Sequence, residues 1–117
     1  MLKLSKKILN ELEEIETSMK YESDNKTILI RTMSPEGQDC VMEFELDETD
    51  NLTTLSNKIY NDYESFDVSE ETSLWIDGTG HGINGAPYDI RDIVRDMEWR
   101  ESWIKNVYEI IRLRSDV

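Results

Sequence analysis

The fold class this sequence predicts is α+β: a two-stranded antiparallel hairpin packed by helices, in the order α-β-β-α-α-α. Three observations carry that prediction. Apolar residues recur at helical spacing near both ends of the chain, a strictly alternating segment lies between them, and a proline-glycine turn joins that segment to a β-branched run.

Leu4, Ile8, Leu9, Leu12 and Ile15 repeat at three- and four-residue intervals, which predicts a helix over residues 4–18 with Lys6, Lys7, Glu13, Glu14 and Glu16 on its wet side. A polar break over residues 22–26 follows. Residues 27–33 (Thr-Ile-Leu-Ile-Arg-Thr-Met) suit a strand, because β-branched side chains fit a pleated surface. Ser34-Pro35-Glu36-Gly37 is a turn: proline pre-sets its own φ, and glycine accepts a positive one. The next strand alternates, with Cys40, Met42, Phe44 and Leu46 on one face and Val41, Glu43, Glu45 and Asp47 on the other. A lone hairpin is marginal in water, so helices must cover its apolar face.

Asp50 is the predicted cap of a helix over residues 52–64, where Leu52, Leu55, Ile59 and Tyr63 keep helical spacing. Residues 70–77 read as a short helix capped by Ser69, with a strand through Ser73-Leu74-Trp75-Ile76 as the competing assignment. The glycine-rich run from Gly78 to Pro87 predicts a loop. Asp89 and Asp92 then open the longest helix, to about Arg114, with Arg112 and Arg114 suiting the negative end of its dipole.

The chain has 117 residues, 38% hydrophobic and 33% charged, which is apolar enough to fold and short enough to be one domain over residues 1–117. Its single cysteine, Cys40, has no intrachain disulfide partner; it reads as a small buried hydrophobe in a reducing, cytoplasmic setting. The N-terminus carries no uninterrupted apolar stretch of the secretory kind, and no segment approaches the ~20 apolar residues that span a bilayer.

The formal net charge is -13. Residues 36–77 hold thirteen acids and one base, Lys58, so nearly the whole excess lies in the central third. A field of that sign repels nucleic acid and anionic membranes and draws in cationic surfaces, so the expected partner is a basic macromolecule, with no direct nucleic acid and no membrane contact. The candidate partner-binding residues are Glu43, Glu45, Asp47, Glu48, Asp50, Asp62, Glu64, Asp67, Glu70 and Glu71. A solvated face that merely keeps the protein soluble is the plain alternative, but crowded like charges destabilise the fold that carries them.

Catalytic and cofactor readings find less support. The glycine-rich loop lacks the Gly-Lys-Ser/Thr ending of a P-loop, and His81, the one histidine, has no second histidine or cysteine at ligand spacing. No calcium-loop pattern is present, and the carboxylates lie on patterned polar faces rather than in apolar pockets that would split their pKa values. The expectation is a non-enzyme with no metal and no cofactor, as monomer or dimer. Trp99 and Trp103, four apart, share a helix flank; they either pack on the hairpin or anchor a partner, since tryptophan is enriched in binding hot spots.

Small size, strong acidity, a hairpin flanked by helices and no catalytic motif together resemble the DNA-mimic inhibitors of phages and mobile elements, of the anti-CRISPR and antirestriction type. Residues 66–76 (Phe-Asp-Val-Ser-Glu-Glu-Thr-Ser-Leu-Trp-Ile), Asn84-Gly85-Ala86-Pro87 and Ile90-Arg91-Asp92-Ile93-Val94-Arg95-Asp96 are similar to a pattern in small acidic proteins of Gram-positive mobile elements. The resemblance implies a bacterial host cytoplasm and a protein that occupies the basic groove of a nucleic-acid-binding defence protein, in its most specific form a Cas nuclease. The alternative is an immunity protein or antitoxin that plugs a basic nuclease toxin through aromatic anchors.

Overall fold

The computed structural model describes residues 4–79 and 90–115. Ser5 opens the first helix: its Oγ accepts a hydrogen bond from the Ile8 N–H at 3.2 Å, satisfying a first-turn donor that has no helical partner. This helix, α1 (Lys6–Glu14), buries Ile8 and Leu12 and stops short of the predicted residue 18. Glu16 adopts φ of 54°, in the left-handed region, so the chain turns there instead of adding helix. Beyond the turn lies a strand absent from the sequence prediction, β1 (Ser18–Glu22), in which Met19 and Tyr21 alternate with Ser18, Lys20 and Glu22.

The two predicted strands are present as β2 (Thr27–Met33) and β3 (Asp39–Glu45). The sheet is therefore a three-stranded antiparallel meander in the order β1-β2-β3, not a two-stranded hairpin. Its register sets the two faces: Ile30 lies opposite Met19 and Met42, while Leu29 lies opposite Lys20 and Glu43. Gly37, at φ 81°, makes the β2–β3 turn in a conformation that costs glycine little.

Helices cover the inner face. α2 (Leu52–Ser65) contributes Leu55 and Ile59, and α4 (Ile90–Ser115) contributes Ile104, Val107 and Ile111, all packed with Ile8, Leu12, Ile28 and Ile30. Each fully buried side chain of this kind stabilises the fold by roughly 1.5–3 kcal/mol. An ion pair between Glu11 and Arg114 ties α1 to the end of α4. Trp103, only 5% exposed, belongs to this core and donates its Nε1–H to Thr17 Oγ1 at 2.9 Å; Trp99 is partly buried and stacks on it, with ring centroids 6.4 Å apart. α3 (Val68–Thr79) packs on the first turns of α4 through a second, smaller cluster of Trp75, Ile93 and Met97. Cys40 is buried, and burial pushes its thiol pKa up, which keeps it protonated.

Three capping and boundary assignments change. Asn51, not Asp50, caps α2: its Oδ1 accepts from the Thr54 N–H at 3.0 Å while Thr54 Oγ1 accepts from the Asn51 N–H at 2.8 Å, a reciprocal box. Asp67, not Ser69, serves the start of α3, with Oδ1 accepting from the Glu70 N–H at 3.0 Å. Gly78 and Thr79 belong to α3 and not to a loop. The rest of the glycine-rich run, with His81 and Asp89, lies outside the described residues.

Candidate functional site

Glu43 and Glu45 point outward from β3 because the alternate positions, Met42 and Phe44, are taken up by the core. Alternate side chains on a strand stand about 6.6 Å apart. The connection that follows adds Asp47, Glu48 and Asp50, so one acidic group gathers where β3 ends and α2 begins. Two of its members are fastened by the backbone. Asp47 Oδ1 accepts from both the hydroxyl and the N–H of Thr49, at 2.5 and 2.8 Å, and Asp50 Oδ2 accepts from the Asp47 N–H at 2.8 Å. The Thr49 hydroxyl and N–H hold the Asp47 carboxyl below its usual range. The Asp47 N–H and the Thr54 hydroxyl do the same for Asp50, because donors favour the charged form.

The second group lies at the other end of α2. Asp62 and Glu64 occupy its last turn, Asp67 the connection, and Glu70 and Glu71 the first turn of α3. Between the two groups the exposed side of α2 carries Thr53, Asn57, Tyr60 and Asn61, none of them charged. From Leu52 to Asp62 the helix rises about 15 Å. Of the ten sequence-predicted acids, five thus lie from β3 to the connection before α2 and five from the last turn of α2 into α3.

Lys58, the one base of the acidic third, sits on α2 3.7 Å from Asp50 and donates to the Glu45 carbonyl at 2.9 Å, covering the free edge of β3. Among the described residues, none of the other nine predicted acids has a lysine or arginine nitrogen within 4 Å. Four of the chain's arginines are paired elsewhere, Arg31 with Asp39, Arg95 with Asp92, Arg100 with Asp96 and Arg114 with Glu11, while Lys26 and Lys58 line one depression with Glu45, Asp47 and Asp50. The two acidic groups are left as a field that attracts guanidinium and ammonium groups from outside.

Comparisons with protein-family models, curated proteins and solved structures return no match. Function is read from the surface itself.

Sequence reasoning missed that Asp47, Asp50 and Asp67 also organise turns, although Asp47-Glu48-Thr49 and Asp67-Val68-Ser69-Glu70 carry the short side-chain-to-backbone spacing that signals it. It also missed Asp96, which is 2% exposed and accepts from Arg100 Nε at 3.1 Å. Its position, one turn before Arg100 on α4, gives no hint of burial until α3 is placed over it. Among the described residues no cluster of His, Cys, Asp and Glu could hold a metal, and no helix is long and apolar enough to cross a membrane.

Proposed function

We propose that this chain is an acidic binding protein that inhibits a nucleic-acid-binding defence protein by occupying its basic groove, most specifically an anti-CRISPR inhibitor of a Cas nuclease. The observation that supports the reading is that, among the described residues, nine of the ten candidate carboxylates have no lysine or arginine nitrogen within 4 Å. Such groups replace phosphates in charge-assisted contacts with arginine and lysine, so that target nucleic acid cannot enter. Trp75 and Trp103 are buried in the chain's own cores. That weighs for a carboxylate-led contact over a toxin plug anchored on tryptophan.

The test uses immobilised protein and a bacterial lysate at low salt. Retained proteins are expected to be nucleic-acid-binding and to elute with added duplex DNA as well as with salt, because surface electrostatics are screened beyond about 8 Å at physiological ionic strength. The triple variant Glu43→Gln, Glu45→Gln, Glu48→Gln removes charge without touching any side-chain hydrogen bond described above. If it retains the same proteins as the parent at the same salt, the reading fails.

A further inference from the structure

At the far end of α2 lies an open cavity of about 350 Å³, between the start of β3, the end of α2, the first turn of α3 and the middle of α4. That is the low end of the range for small-ligand pockets. Its apolar wall is made by Met42 and Ile104, both buried, and by the partly buried Phe66. Asp62 and Glu71, from two different helices, bring carboxylates to it, the first exposed at the rim and the second half-buried.

The one cation in the lining, Arg100, is already engaged. Its Nε lies 3.1 Å from Asp96 Oδ2, and its guanidinium sits over the Trp75 ring, 5.8 Å from the centroid. Asp96 therefore cancels the charge of Arg100, and the cavity keeps the two negative charges of Asp62 and Glu71. Among the described residues no lysine or arginine nitrogen lies within 4 Å of either. The other Asp96 oxygen, Oδ1, is buried with no hydrogen-bond partner. Burial pushes the Asp62 carboxyl pKa up, with no cation of the chain to offset it.

We infer that this cavity receives one arginine side chain of the cationic partner, its methylene stem along Met42, Phe66 and Ile104 and its guanidinium between Asp62 and Glu71. The inference rests on the reading of the chain as a binder of basic proteins and gives that contact a fixed anchoring point. Arginine fits better than lysine for two reasons. A planar fork of five donors can serve carboxylates on two elements at once, and a guanidinium is shed of water more easily than an ammonium.

The full chain, followed by methyl NMR at Met42 and Ile104, is titrated with N-acetyl-arginine amide, N-acetyl-lysine amide and N-acetyl-norleucine amide. Saturable shifts with the arginine compound, weaker ones with lysine and none with norleucine are expected. The pair Asp62→Asn, Glu71→Gln should weaken arginine binding about tenfold or more, the scale of one charge-assisted hydrogen bond. Asp62→Asn alone, at a largely solvent-exposed position, provides a folded second variant with an intermediate loss. Absence of saturation, equal binding by the paired variant, or an equal response to norleucine overturns the inference. Lysate capture separates the two levels. If the paired variant retains basic partners like the parent while the Glu43, Glu45, Glu48 variant does not, the anchoring cavity is wrong and the groove-occupying reading stands; if neither variant loses them, both fall.

Discussion

The two acidic groups at the ends of α2 have the same composition and opposite electrostatics. At the β3–α2 junction, Asp47 and Asp50 accept hydrogen bonds from Thr49 and from each other's neighbourhood, and their charged forms are favoured. At the α2–α3 junction, Asp62 borders an apolar wall with no donor or cation to compensate, and its charged form is disfavoured. The lesson is that a carboxylate's role follows from the donors around it. Hydrogen bonds stabilise the charges of Asp47 and Asp50, whereas the charge of Asp62 meets only the cost of burial.

The largest effect comes from removing what holds both groups. Ile59, fully buried on α2 between them, anchors the helix to the core, and Ile59→Ala is expected to cost about 3 kcal/mol through lost burial and a residual cavity. Urea unfolding measures it; a loss below about 1 kcal/mol means α2 is not held where described.

Next comes the use of one carboxylate from each group in a turn. Asp50→Ala removes the acceptor for the Asp47 N–H and the neighbour of Lys58, and Asp67→Ala removes the acceptor at the start of α3. Each is expected to lower stability by about 1 kcal/mol, the usual net worth of one hydrogen bond. Glu48→Gln, with no such bond, serves as the control and should change the urea midpoint little.

The smallest effect separates the groups by pH. The folded pKa values of Asp47 and Asp50 lie below the unfolded value near 3.9, so the folded state binds fewer protons than the unfolded one. Their contribution is present above about pH 4 and is lost as pH falls through the depressed folded values. Asp62 runs the other way: its folded pKa is raised, so a penalty absent below about pH 4 grows as pH rises through that raised value. Asp62→Asn should then stabilise the protein at pH 7 by no more than about 0.5 kcal/mol, since the side chain is largely in solvent, and leave it unchanged at pH 3. Asp47→Asn should destabilise it at pH 7, and that effect should shrink as pH falls below about 4. Parallel pH profiles for the two variants would erase the contrast between the groups.

Much of this molecule is legible in sequence because it depends on local periodicity. The alternation over residues 40–46 places Cys40 and Met42 inward and Glu43 and Glu45 outward, as found; helical spacing identifies Leu55 and Ile59 on α2 and Ile93, Met97, Ile104, Val107 and Ile111 on α4 as buried, but it also predicts burial of Ile90, which is exposed at the first turn of α4. The β1 strand is not legible in the same way. Ile15 continues the helical spacing of α1, and the helix ends only because Glu16 turns left-handed and the Glu16 carbonyl accepts from the Thr32 hydroxyl at 2.9 Å, sixteen residues away. The pairing of Met19 with Ile30 is likewise a contact between segments, invisible in either alone.

The sequence by itself determined the α+β class, the inner and outer faces of the sheet and the concentration of charge in the central third, because side-chain periodicity and composition are local properties of the chain. Only the tertiary structure decided that Arg100 is paired with Asp96 while Asp62 and Glu71 are not paired with a described cation, and that β3, α2, α3 and α4 leave a cavity between them. The reason is physical: a charge is stabilised or left uncompensated by whatever lies within a few ångströms of it, and at these positions the neighbours come from distant parts of the chain.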